Sequence, residues 1–224
     1  MKRLAIALRA ATCALILCTT SSAVADELPN ETTEGLIRIK DAPFQALYWA
    51  DGEINGQYER VWLLESRAMF PDDFKERLDD EAVGAGNRIK EADMEKAATE
   101  LCEDFDEIFQ KTLERDGYVF ADKLEPGVIA LRPVIMIYEI GSLETNQVQG
   151  RSASERLSVS MTLFMHAFDS TSNQKIGEIM DGVASRQGVE SRVTRRAEIR
   201  RLMRNWAKSL LSILEPTRTG ADPA

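Results

Sequence analysis

The chain has 224 residues, 44% of them hydrophobic, and its 37 acidic against 28 basic residues leave a formal charge of −9. That is enough for one domain around one core, while so acidic a surface repels nucleic-acid phosphates and anionic headgroups, so neither is an expected partner. Three cysteines and a single histidine supply neither a His pair nor a Cys cluster for a metal, and no metal or cofactor is expected.

The first 25 residues read as a secretory signal. Lys2, Arg3 and Arg9 precede the short apolar run "AATCALILC", and Ala23 and Ala25 form the A-x-A pattern of a signal-peptidase site, predicting cleavage after Ala25 and export to the periplasm. The apolar run is well short of the ~20 residues of a membrane span. The competing reading is a lipid anchor at Cys18, but bulky Leu17 stands where a small residue is needed. Cleavage removes three basic residues and no acidic one, so the charge moves from −9 to −12. Cys102 is then the one thiol left, too few for an internal disulfide.

Residues 26–43 are polar, contain Pro29 and Pro43, and read as a lead-in segment. "FQALYW" (44–49) and "YERVWLLES" (58–66) are strand-like and flank Asp-Gly and Asn-Gly turn signals, which predicts a hairpin. "DDFKERLDDE" (72–81) suits a short helix, ended by the glycines of "AVGAGN". The strongest helix spans 91–116, where Met94, Ala97, Leu101, Phe105, Ile108 and Thr112 recur at helical spacing and Gly117 is the stop.

Four strand-like runs follow: 118–121, 127–140, 154–169 and 175–188. The third alternates, with Leu157, Val159, Met161, Leu163, Met165 and Ala167 on one face. "STSNQ" (170–174) predicts a second hairpin, and Pro133 predicts a bulge or an edge, since it cannot donate to a ladder. A last amphipathic helix runs from about Thr194, a suitable cap, to Glu215, with Ile199, Leu202, Met203, Trp206, Leu210 and Ile213 as its stripe. Residues 216–224 read as a disordered tail. The expected fold is therefore α+β over 44–215: an antiparallel sheet of long hairpins, with two amphipathic helices mainly on one face. The second face is covered either by the N-terminal hairpin or by another chain.

The stretches "ALYWADGEINGQYERVWL", "LEPGVIALRPVIMIYEI", "LSVSMTLFMHAFDSTSNQKIGEIMDGVASRQG" and "NWAKSLLSIL" resemble the bacterial envelope family catalogued as Domain of Unknown Function 3313, mostly described as lipoproteins, over about residues 44–214. The family carries no established active site, so the resemblance implies an envelope location and transfers no functional residue. Its usual lipidated cysteine has no clean equivalent at Cys18.

Candidate chemistry is sparse. His166, between Phe164 and Phe168, could act with Asp169 in a Ser-His-Asp arrangement, yet no G-x-S-x-G elbow is present. Cys102 adjoins Glu103 and Asp104, whose charges would discourage a thiolate. Gly84 and Gly86 miss the dinucleotide fingerprint. Asp72, Asp73, Asp79, Asp80 and Glu81 read as a solvated face, with weak calcium binding as the alternative. Arg192, Arg196, Arg200 and Arg204 lie four apart on the last helix and either pair with the acidic helix 91–116 or form a docking strip for an acidic partner or anionic glycan. The expected function is a non-enzymatic envelope binding or assembly factor with no catalytic residue. Its expected interface is Phe164, His166, Phe168 and the four arginines, and its partner another envelope protein or a second copy. The alternative is an envelope hydrolase using carboxylates, or His166 with Asp169.

Overall fold

A computed structural model describes residues 28–52, 54, 58–81, 89–140, 159–185 and 192–218. The signal-peptide reading, the glycines at 84 and 86, and the tail beyond 218 lie outside these residues. Eight strands form one open, mixed sheet: β1 (Ile37–Arg38), β2 (Ala46–Trp49), β3 (Arg60–Leu63), β4 (Arg67–Met69), β5 (Val119–Phe120), β6 (Val128–Ile140), β7 (Val159–Asp169) and β8 (Lys175–Ser185). The helices are α1 (Phe74–Glu81), α2 (Glu91–Arg115) and α3 (Arg192–Arg218). The fold is α+β, as expected, with strand order β1-β2-β8-β7-β6-β3-β5 and β4 pairing with β6.

The alternating pattern of β7 determines the layers. Val159, Met161, Leu163, Met165 and Ala167 are buried together with Ile129, Leu131, Ile135 and Ile137 of β6 and Ile179 of β8. Against this face lie α2, through Leu101, Phe105, Ile108, Phe109 and Leu113, and α3, through its whole predicted stripe. Phe105 and Phe109 stack with ring centroids 3.9 Å apart. Each such fully buried ring contributes roughly 1.5–3 kcal/mol relative to exposure, so the long-range core outweighs any local helix preference.

The hairpin predicted at 170–174 forms: β7 and β8 pair antiparallel, with Asn173 at φ 54 in the turn. The hairpin predicted between 44–49 and 58–66 does not. β2 pairs with β8, while β3 pairs parallel with β6, so β8, β7 and β6 lie between them. All four residues of β2 are buried, which suits a place between β1 and β8. Left-handed Asp51 and Gly52 leave the end of β2 and begin the crossing to β3. Glycine is required inside β8 as well: a Cβ on Gly177 would fall within the indole of Trp49, its register partner on β2.

Pro133 makes no bulge at its own position; it pairs in register with Met165, and the irregularity lies between Ile137 and Glu139. The Leu64 amide donates to the Leu131 carbonyl, so odd residues of β6 aim their backbone groups toward β3 and β4. Pro133 falls where β3 has ended opposite Leu131 and β4 begins opposite Val134. Its missing N–H therefore costs no ladder bond. Thr194 is not a cap, because α3 already begins at Arg192.

Candidate functional site

The second face of the sheet is built from the even-numbered residues of β6, β7 and β8 up to the register shifts, which set Glu139 opposite Ser160 and Lys175 opposite Phe168, and the strand register lays it out in rows. One row reads Trp62, Ala130, Phe168, Lys175; the next reads Arg132, His166, Glu178, Tyr48, Arg38. The third is Arg67, Val134, Phe164, Met180, Ala46, and the fourth Met69, Met136, Thr162, Gly182.

The two halves of this face are treated differently. Over β2 and β8 runs the segment read as a polar lead-in, here a strap. Leu36 is 3% exposed and packs on Ala46 and Tyr48, with Leu28, Ala50 and Met180 around it. The Tyr48 hydroxyl donates to the Pro29 carbonyl at 3.0 Å, and Arg38 donates to the Leu28 carbonyl at 3.1 Å. Lys175, largely buried, bridges Glu34 of the strap and Glu178 of β8. Burial opposes its charged form, but the bonds to the two carboxylates outweigh burial and raise its pKa.

Over β6, β7 and β4 no strap runs among the described residues. Val134, Met136, Phe164 and Phe168 are only half-buried, while Met69 and Tyr138 are 50% and 41% exposed. The Arg132 guanidinium lies over the Phe168 ring, 5.0 Å from its centroid, a cation–π contact. His166 meets the same ring edge-on at 6.3 Å. Burial, and then the positive charge of Lys175, hold His166 below its ordinary pKa, so it presents a neutral ring at neutral pH. Beyond the fourth row an open groove of about 560 Å³ is lined by Pro71, Asp73, Arg77, Tyr138, Ser160 and Ala184.

The expected interface residues divide. Phe164, His166 and Phe168 share this face, and Arg132 joins them. Arg196 and Arg200 pair with α2, as the plainer of the two expectations had it: both reach across to Asp104, and Arg200 also reaches Glu107 at 3.0 Å. Arg204 is exposed with no ion pair among the described residues, and the side chain of Arg192 lies outside them. The structure does not bring His166 and Asp169 together. Their positions alternate to opposite faces of β7, and Asp169 accepts bonds from the Thr171 and Ser172 amides, the Ser172 hydroxyl and the Tyr58 hydroxyl. Those amide and hydroxyl donors hold its carboxyl below the usual range.

Cys102 is half-buried and free. Its thiol pKa is raised first by burial and then by Asp106 and Glu65, with Ser66 opposing; Asp104, expected to act on it, is turned to the arginines. Two members of the acidic run are tied down locally, Asp73 by Arg77, and Asp79 by Lys75 and the Ile89 amide. Among the described residues no group of three or more His, Cys, Asp or Glu is placed to hold a metal ion, and no helix is long and apolar enough to cross a membrane. The sequence pattern does not reveal β4 or the strap: three residues and two residues of strand carry too little periodicity to register.

No protein-family model matches the chain, and no curated protein matches it. Among solved structures, the chain is similar to a PelC dodecamer from Paraburkholderia phytofirmans, at 9% identity over 75% of this chain and 96% of that one, with TM-score 0.38. It is similar as well to a DUF330 protein from Xanthomonas campestris, at 10% identity over 75% and 91%, TM-score 0.38. A candidate lipoprotein from Caulobacter crescentus matches at 12% identity over 71% and 94%, TM-score 0.34. Likeness at this level assigns no role to any residue of this chain.

Proposed function

We propose that this protein is a non-enzymatic binding or assembly factor of the bacterial envelope, exported by its N-terminal signal and gripping another envelope protein through the open half of the second sheet face. The observation that carries the reading is the asymmetry of that face. The strap buries the apolar row over β2 and β8, yet leaves Val134, Met136 and Phe164 half-buried, with Arg67 opposite Val134 and Arg132 one row away. In a chain of net charge −9, an apolar strip flanked by two arginines suits a partner with acidic residues around an apolar one. A hydrolase built on His166 and Asp169 draws no support from the geometry.

The test is crosslinking in the native envelope, followed by mass spectrometry, comparing the wild-type protein with Phe164→Ser/Phe168→Ser and with Arg132→Glu. The reading expects one crosslinked partner to be lost in both variants while circular dichroism is unchanged. Retention of every crosslink would overturn it. N-terminal sequencing of the envelope protein should begin at Asp26; an acylated Cys18 would place the protein on a membrane instead.

A further inference from the structure

A second surface lies at the edge of the sheet, and its chemistry specifies what can cover it. β2 pairs with β8 only as far as Ala46 opposite Met180. There the chain preceding β2 turns away, and the Gln45 amide donates to the Asp181 carboxylate at 3.0 Å in place of a ladder bond. β8 continues to Ser185, paired with β7 on its other side throughout. Among the described residues nothing pairs with the outer edge of this upper half.

The direction of its backbone groups follows from the register. Even residues of β6 bond to β7, as the Ser170 amide on the Val128 carbonyl begins to show, so the even residues of β7 face β6 and the odd ones face β8. Leu163 opposite Asp181 and Met161 opposite Val183 are then the hydrogen-bonded pairs. Gly182 and Ala184 consequently aim their N–H and C=O groups outward, two donors and two acceptors with no strand to meet them. Exposed edges are normally blunted by lysine, proline or a bulge. This one reads Asp-Gly-Val-Ala-Ser, and Gly182 and Ala184 are both exposed.

We infer that the upper half of β8 pairs antiparallel with the same segment of a second copy, across a twofold axis at Val183. The segment is self-complementary in that register. Gly182 meets Ala184 of the partner copy and Ala184 meets its Gly182, forming two hydrogen-bonded pairs and four N–H···O bonds. Val183 faces its own counterpart in the narrow, non-hydrogen-bonded position, where two β-branched side chains make contact. Asp181 falls opposite Ser185 rather than opposite another carboxylate, so the register carries no like-charge pair. The dimer joins two sheets edge to edge and sets their open second faces side by side. Four backbone bonds and one valine pair make a small contact, so association is weak and transient. The inference does not rest on the proposed function, since it uses the edge and not the face.

Sedimentation velocity of the purified protein over a wide concentration range tests it. The expected result is a concentration-dependent dimer, weakened by Ala184→Pro, which removes one outward N–H, and by Ala184→Lys, which keeps the N–H and adds an edge charge. Each lost bond weakens association on the order of fivefold. Both variants should match the wild type in circular dichroism and unfolding midpoint; if the proline variant fails to fold, the lysine variant decides the matter alone. A wild-type protein monomeric at every concentration overturns the inference, as does a dimer that both folded variants leave unchanged. Phe164→Ser/Phe168→Ser should still dimerise, so edge pairing and face binding fail separately.

Discussion

Arg196 holds the Asp104 carboxylate with two N–H···O bonds of 2.9 Å, from Nε and Nη2, and thereby joins α3 to α2. The side chain of Asp104 is 7% exposed, and Arg200 reaches the same carboxylate from one turn further along. The two arginines are thus the means by which a buried carboxylate is satisfied.

Replacing Asp104 should therefore cost more than replacing either arginine. Asp104→Asn is expected to destabilise by about 1.5–3 kcal/mol, the range for hydrogen bonds to a charged group. Arg196, with its side chain 59% exposed, should cost about 1 kcal/mol or less as Arg196→Ala, because exposed pairs are screened and Arg200 remains. The double replacement Arg196→Ala/Arg200→Ala should exceed the sum of the single ones, since it strands the carboxylate. Urea unfolding of these variants beside the wild type measures this; additive costs would contradict it.

Gly177→Ala should be the most damaging small substitution in the sheet. Its methyl would occupy the space of the Trp49 ring, and overpacking of this kind costs about 1–3 kcal/mol. Adding Trp49→Leu should recover part of the loss, because the smaller side chain makes room. Thermal unfolding of the single variants and the double variant decides it.

Tyr58 and Asp169 are coupled through a 3.2 Å hydrogen bond, and their titrations should show it. Burial, then the charge of Asp169 and the bond to it, push the Tyr58 hydroxyl up to about 12. Stability from this group is full below the ordinary tyrosine pKa of about 10 and is lost as pH rises through about 12. Asp169 works in the opposite sense: its pKa is depressed, so its contribution is present above about 3.9 and is lost as pH falls through the folded value. Asp169→Asn should lower the Tyr58 pKa part of the way, read by ultraviolet titration, while burial keeps it above the ordinary value.

Asp181 accepts from the Trp206 indole N–H at 2.9 Å and from the Gln45 amide at 3.0 Å, linking α3, β8 and the start of β2. Burial nevertheless raises its carboxyl pKa against those two bonds. Its pH-linked stabilisation is then fully present below the unfolded value of about 3.9 and lost as pH rises through the folded one. The stability of wild type relative to Asp181→Asn should accordingly grow as the solution is acidified from neutrality. A pH-independent difference between the two would contradict this.

Much of the architecture is written in local periodicity. The stripes of α2 and α3 and the alternation of β7 state which face of each element leaves water: from Leu101 onward in α2, throughout the stripe of α3 and from Val159 in β7 those residues are buried, while Met94 and Ala97 are partly so. The turn at 170–174 is equally local, since its capping carboxylate, Asp169, lies next to it. Aromatic Phe164 and Phe168 on an otherwise polar strand face pointed to the open side of the sheet. Periodicity does not name a neighbour, however. The same Asp-Gly and Asn-Gly signals serve a tight hairpin or a crossing over three strands, and only the placement of buried β2 beside β8 and of β3 beside β6 decided between them. The arginine stripe was legible as a stripe; whether it faces solvent or Asp104 depends on how α2 and α3 lie together across the sheet. The strap and the unpaired edge of β8 exist only in the folded chain, because a backbone group is satisfied or left open by residues distant in sequence.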